Sequence, residues 1–179
     1  YDLRSDFEFW LAKENDGFPS AVRLVRDNVE EEDEDPDFVR MVLHKDGTIT
    51  DHKTGLMWKA VDSYVDLDKW VSWDEAKNYI TQLNRTSFAG YRNWRMPTRK
   101  EAQAIYDASN PITDNYGDTV FLAKGFPAGC GLTCWTKTLN KSDKGLVIRF
   151  HFYNGDYKWH QVGLRSHGVR AVRNPESDS

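Results

Sequence analysis

Apolar and polar positions alternate along this chain at two periods, and the changes of period mark out its elements. Phe38 to Leu43 reads as a strand, Asp46-Gly47 as a tight turn and Thr48 to Thr50 as the returning strand. The period then lengthens. Ser72-Trp73-Asp74-Glu75 is a capping-box sequence, and Trp73, Ala76, Ile80 and Leu83 follow at helical spacing, which predicts a helix ending near Asn84. Thr98-Arg99-Lys100-Glu101 opens a second helix with Ala102, Ile105 and Tyr106 on one side, and Pro97 separates it from the strand before. From Ser109 to Gly131 Gly, Pro, Asn, Asp and Thr predominate, predicting a long irregular loop. Cys134 to Lys137, Leu146 to Phe152, Tyr157 to Val162 and Gly168 to Arg173 then read as antiparallel strands. The predicted class is α+β, with two helices, antiparallel sheets and long irregular loops.

Asn154-Gly155 is the strongest turn signal, because a two-residue type I′ turn needs positive φ at both central positions. Placing Tyr153 opposite Asp156 pairs Phe152 with Tyr157, His151 with Lys158, Phe150 with Trp159 and Arg149 with His160. Leu146, Ile148, Phe150, Phe152, Tyr157 and Trp159 then share the face expected to be buried. Arg149, His151, Lys158 and His160 share the other. Like charges facing one another are mildly destabilising, so this basic face is the candidate ligand-binding surface. An anionic ligand suits it: a sulfated or uronic-acid glycan, a lipid headgroup or an acidic partner chain. The alternative is a solvated face, or one paired with the chain's own acidic segment. Binding is expected to tighten below pH 6.5, where the histidines charge.

Charge is unevenly distributed. The 179 residues carry a net charge of −4, yet seven of the eight residues from Glu30 to Asp37 are acidic, and without those seven the sum is +3. The block reads as a solvated linker, with a divalent-cation or basic-partner site as the alternative. No Lys/Arg stripe suggests nucleic acid, and no apolar run approaches the ~18 residues of a membrane helix. Aromatic residues make up 13%, including seven Trp, so the core is expected to rest on aromatic anchors.

Cys130 and Cys134 lie close in a Gly-rich loop and are expected to form a disulfide, implying an oxidising, secreted or cell-surface location; two free thiols are the alternative. A zinc site lacks a second ligand pair. Calcium is the one cofactor left open, through Asp66 with Asp68 or Asp114 with Asp118, against a plain hydrated loop. There is no phosphate-cradling Gly loop, no Gly-x-Ser-x-Gly and no His-Glu-x-x-His, so the chain reads as non-catalytic. Asn84-Arg85-Thr86 and Asn140-Lys141-Ser142 are formal glycosylation sequons.

Ala21 to Asp27 resembles Gly168 to Asn174, offset by 147 residues. Residues 1–28 are therefore expected to be the tail strands of an upstream copy or an N-terminal extension, 29–37 a linker, 38–174 the main domain and 175–179 a flexible tail. Four blocks carry a family resemblance: Thr50-Asp51-His52-Lys53-Thr54-Gly55-Leu56-Met57-Trp58, Gly90-Tyr91-Arg92-Asn93-Trp94-Arg95-Met96-Pro97, Cys134-Trp135-Thr136-Lys137 and Gly168-Val169-Arg170-Ala171-Val172-Arg173. Together they resemble the C-terminal domain of collagen-like bacterial adhesins, the Lcl C-terminal-domain family, within the C-type-lectin-like folds. The resemblance implies a non-catalytic extracellular adhesion domain that binds glycan, including sulfated glycosaminoglycan, or protein at the cell surface. It also leaves open a structural subunit of a surface filament or oligomer that self-associates. A formylglycine-generating-type enzyme, a relative by fold working through two cysteines, is the second alternative. The Glu-Pro-Asn, Gln-Pro-Asp and Trp-Asn-Asp sugar-binding signatures of C-type lectins are absent. Trp94-Arg95 and the Arg170/Arg173 pair are expected to be structural.

Overall fold

The computed structural model describes residues 39–175, so the proposed upstream repeat, the acidic linker and the last four residues lie outside it. Strands β1 (Met41–Leu43), β2 (Thr48–Asp51), β3 (Leu56–Lys59) and β9 (Val172–Arg173) form an antiparallel sheet in that order. Strands β4 (Tyr106–Thr113) and β5 (Thr119–Leu122) form a two-stranded ribbon, and β6 (Thr133–Leu139), β7 (Leu146–His151) and β8 (Asp156–Gln161) a three-stranded sheet. Helices α1 (Ser63–Leu67), α2 (Trp73–Arg85) and α3 (Arg99–Ala104) complete an α+β architecture with antiparallel sheets.

Both capping boxes form as the sequence predicts, Ser72 with Glu75 on α2 and Thr98 with Glu101 on α3. Ala76, Tyr79, Ile80 and Leu83 turn inward from α2. Three elements depart from expectation. Helix α1 has too few turns to show a period, and it exists because Asp62 accepts the backbone N–H groups of Tyr64 and Val65. The segment expected to be one long loop contains β4 and β5, joined by a turn in which Asp114 Oδ1 accepts Tyr116 N at 2.8 Å and Asp118 N at 2.9 Å. A bulge between Tyr106 and Pro111 breaks the alternation that would have revealed this ribbon.

The first family block folds around a buried carboxylate. Asp51, fully buried, accepts Arg40 Nε at 3.0 Å and Nη2 at 2.9 Å, Lys53 N at 3.0 Å and the Thr54 hydroxyl at 2.8 Å. Burial opposes its ionisation, but the hydrogen bonds from Arg40 and Thr54 outweigh it and hold the carboxyl below its usual range. Gly55, at φ +68°, then turns the chain so that Leu56 and Trp58 enter the core. In the second block Asn84, at the end of α2, grips the backbone of Trp94 from both sides, accepting its N–H at 2.7 Å and donating to its carbonyl at 2.9 Å. That side chain ties the second block to α2.

Arg95, Arg170 and Arg173 are structural, as expected, though Arg170 and Arg173 stack on phenyl and phenol rings, not indole. Arg173 lies 3.7 Å over Tyr91, and Arg170, 1% exposed, lies 4.7 Å over Phe126 with Nη1 bonded to the carbonyl of Ala60. Arg95 forms a two-point ion pair with Glu101 at 2.8 and 2.9 Å.

The expected disulfide is corrected. Cys130 and Cys134 are buried free thiols, donating to the carbonyls of Pro127 and Trp135 respectively, each at 3.2 Å. Burial raises both thiols, Cys134 to about 12, so neither is poised as a thiolate.

Candidate ligand-binding face

Strands β7 and β8 bring the predicted site residues together, but in a shifted register. His151 faces Asp156, Phe150 faces Tyr157, Arg149 faces Lys158, Ile148 faces Trp159 and Val147 faces His160. The connection is the four-residue turn Phe152 to Gly155, not a two-residue one. Phe152 causes the shift. Its N–H donates to Leu132 O at 2.9 Å and its carbonyl accepts Phe121 N at 2.8 Å, so its backbone is committed to neighbouring segments and cannot pair with Tyr157.

A shift of this parity leaves each residue on its expected face. Burial is another matter. Ile148, Phe150 and Phe152 are buried, whereas Tyr157 and Trp159 are each 44% exposed because β8 is the edge of its sheet. Tyr157 instead receives the Arg99 guanidinium, 4.3 Å from its ring centre.

On the basic face Arg149 and Lys158 stand directly opposite one another. Arg149 is half-buried, and its Nε and Nη1 are enclosed without a hydrogen-bond partner. Burial makes its charge costly, and Asp156, across the hairpin, is the carboxylate whose field offsets that cost. His151 accepts Tyr153 N at Nδ1, 3.2 Å, and lies opposite Asp156.

His160 contacts a residue that sequence reasoning missed. His167 Nε2 is 3.2 Å from His160 Nδ1, its Nδ1 is 2.8 Å from the Thr133 hydroxyl, and its ring stands edge-on 4.4 Å from Trp135. The one signal for it was its position immediately before Gly168 in a family block; nothing periodic marked it. Burial, with the nearby His160 and Arg149, pushes His167 down to about 3. Burial, followed by Arg149, also lowers His151 and His160. Charging of these histidines, on which the expected tightening below pH 6.5 rests, therefore moves to more acidic pH. At neutral pH the face presents Arg149 and Lys158 as its cations, with imidazoles serving as neutral hydrogen-bonding groups.

Of the aspartates considered for calcium, Asp66 and Asp114 commit carboxylate oxygens to the fold. Asp66 accepts Tyr79 Oη at 2.5 Å and Lys59 Nζ at 2.8 Å, Asp68 ends α1 in the left-handed region at φ 50°, and Asp114 builds the β4–β5 turn. Among the described residues, no three His, Cys, Asp or Glu side chains are grouped to hold a metal ion.

The family model for the Lcl C-terminal domain matches residues 47–173. This chain belongs to the Lcl C-terminal domain family. No curated protein matches it. The matched span of the Lcl C-terminal domain begins in the β1–β2 turn and ends with β9, so it includes the Asp51 turn, both cysteines and the whole basic face. Among the described residues, no helix is long and apolar enough to cross a membrane.

Proposed function

We propose that this Lcl C-terminal domain is a non-catalytic recognition module of a secreted or cell-surface protein. It has a C-type-lectin-like fold and docks an anionic glycan or acidic protein segment on the face formed by Arg149, His151, Lys158 and His160. One observation carries the reading: two enclosed guanidinium donors of Arg149 lack acceptors, directly opposite a second cation. A buried donor left unpaired costs about 1–3 kcal/mol, and the oxygens of a sulfate or carboxylate, met by rotation of the Arg149 side chain, supply the missing acceptors. Burial of both thiols supports the non-catalytic assignment.

The test is retention on immobilised heparin with calcium and with chelator, comparing the wild type with Arg149→Gln and Lys158→Glu. The reading expects salt-dependent retention that Arg149→Gln weakens at least tenfold while folding is kept. Equal retention of all three proteins refutes it, and loss of retention in chelator assigns the ligand to calcium instead.

A second reading, assembly into a surface filament or oligomer, draws on exposed sheet edges: β1 carries Leu43, 54% exposed, with Val39, 62% exposed, just before it, and β8 carries Tyr157 and Trp159. Light scattering that finds only monomer at high concentration removes it.

A further inference from the structure

Helix α1 and the β4–β5 turn meet in an aromatic cluster that the proposed function does not use. Tyr64 and Trp70 have ring centres 4.4 Å apart, Tyr64 and Tyr116 5.5 Å apart, and Trp70 and Tyr116 6.2 Å apart at an interplanar angle of 21°. The phenols are joined, Tyr64 Oη to Tyr116 Oη at 2.5 Å. Tyr64 lies beneath at 5% exposure, while Tyr116 is 61% exposed.

Two carboxylates act on this cluster. The fields of Asp68 and Asp114 both bear on the Tyr64 phenol, which is pushed up to about 12 chiefly by its hydrogen bond to Tyr116 and then by burial. The Tyr64 phenol therefore stays neutral. Asp114 is 6% exposed; Oδ1 caps its own turn, and Oδ2 is enclosed without a hydrogen-bond donor. The Gly-rich loop before β6 sets the position of the indole. A Cβ on Gly131 would stand 2.9 Å from the Trp70 ring, and the Gly131 N–H donates to Asp62 at 2.7 Å.

We propose that Tyr64, Trp70 and Tyr116, with Asp68 and Asp114, form a second binding site that takes an arginine side chain of a polypeptide partner. Aromatic faces attract cations through their quadrupole, and the flanking carboxylates add to that attraction. A guanidinium satisfies both demands, since it stacks flat on an exposed ring while its charge is drawn by the two carboxylates. A neutral sugar also stacks on aromatic rings, but gains nothing from the two negative charges. The site's carboxylates make it opposite in sign to the basic face.

The test titrates the full chain with Nα-acetyl-arginine-methylamide and, separately, with its uncharged citrulline counterpart and a methyl glycoside, following amide and indole resonances by NMR. Shifts at Trp70 and Gly117 on adding the arginine amide, at least fivefold weaker with citrulline and in Tyr116→Ala or Asp68→Asn, are expected. Both substitutions are at exposed positions, and Asn tolerates the left-handed backbone of residue 68. Equal binding of citrulline, shifts confined to residues 30–37, or a response to the glycoside alone overturns the assignment.

Discussion

Replacing Arg149 by Met separates ligand recognition from folding. The substitution keeps an unbranched stem on β7 and removes the two enclosed nitrogens that lack acceptors. Each unpaired buried donor costs about 1–3 kcal/mol, and relief of the like-charge pairing with Lys158 adds about 0.2–1 kcal/mol. Lost stem contacts and the distant attraction of Asp156 offset part of this gain, leaving Arg149→Met more stable than wild type by about 1–3 kcal/mol. For a domain of this size that corresponds to a rise in Tm of roughly 4–10 °C. Thermal and urea unfolding of both proteins, with and without a heparin oligosaccharide, measures it. Ligand at a hundredfold excess over its Kd stabilises the wild type by about 2.7 kcal/mol and leaves the variant unmoved. A variant destabilised by more than about 1 kcal/mol, or still stabilised by the oligosaccharide, would refute the claim that Arg149 is held unpaired for a ligand.

Other consequences follow from groups that serve the fold. His167 is held neutral far below its usual range, so the stability it confers is complete above its unfolded pKa of about 6.5 and is lost as pH falls toward about 3. Urea unfolding across pH 6.5 to 4 should show a slope approaching about 1.4 kcal/mol per pH unit, which His167→Gln flattens. Asp51 and Glu101 are both held below the carboxylate range; their contribution is present above about pH 4 and disappears at more acidic pH, where Asp51→Asn should leave a shallower acid transition by circular dichroism. Asn84→Ala strands the buried N–H and carbonyl of Trp94 and should cost about 2–3 kcal/mol in urea titrations, and mass spectrometry after expression in a glycosylating host should find Asn84 unmodified. Gly125→Ala places a Cβ 2.8 Å from Met41 Cβ at a φ of +118°, so it should destabilise by at least about 2 kcal/mol.

What the sequence alone determined were features written in neighbouring residues. A capping box needs four consecutive positions, so the starts of α2 and α3 could be read directly, and the polar turn before Leu56 and Trp58 was legible for the same reason. The face shared by Arg149, His151, Lys158 and His160 followed from strand parity, which survives a register shift of two. The tertiary structure decided what depends on partners distant in sequence. Phe152 bonds to Leu132 and Phe121, and those contacts, which no hairpin rule contains, set the register. Solvent at the β8 edge, not hydrophobicity, decided that Tyr157 and Trp159 are half exposed. His167 joins His160 only because the closing segment, bridged to Val71 and Cys134, returns beside the hairpin, and Tyr116 meets Tyr64 across 52 residues of chain. Local chemistry thus named elements and faces, while chain closure, which brings remote residues within a few ångströms, chose the company each side chain keeps.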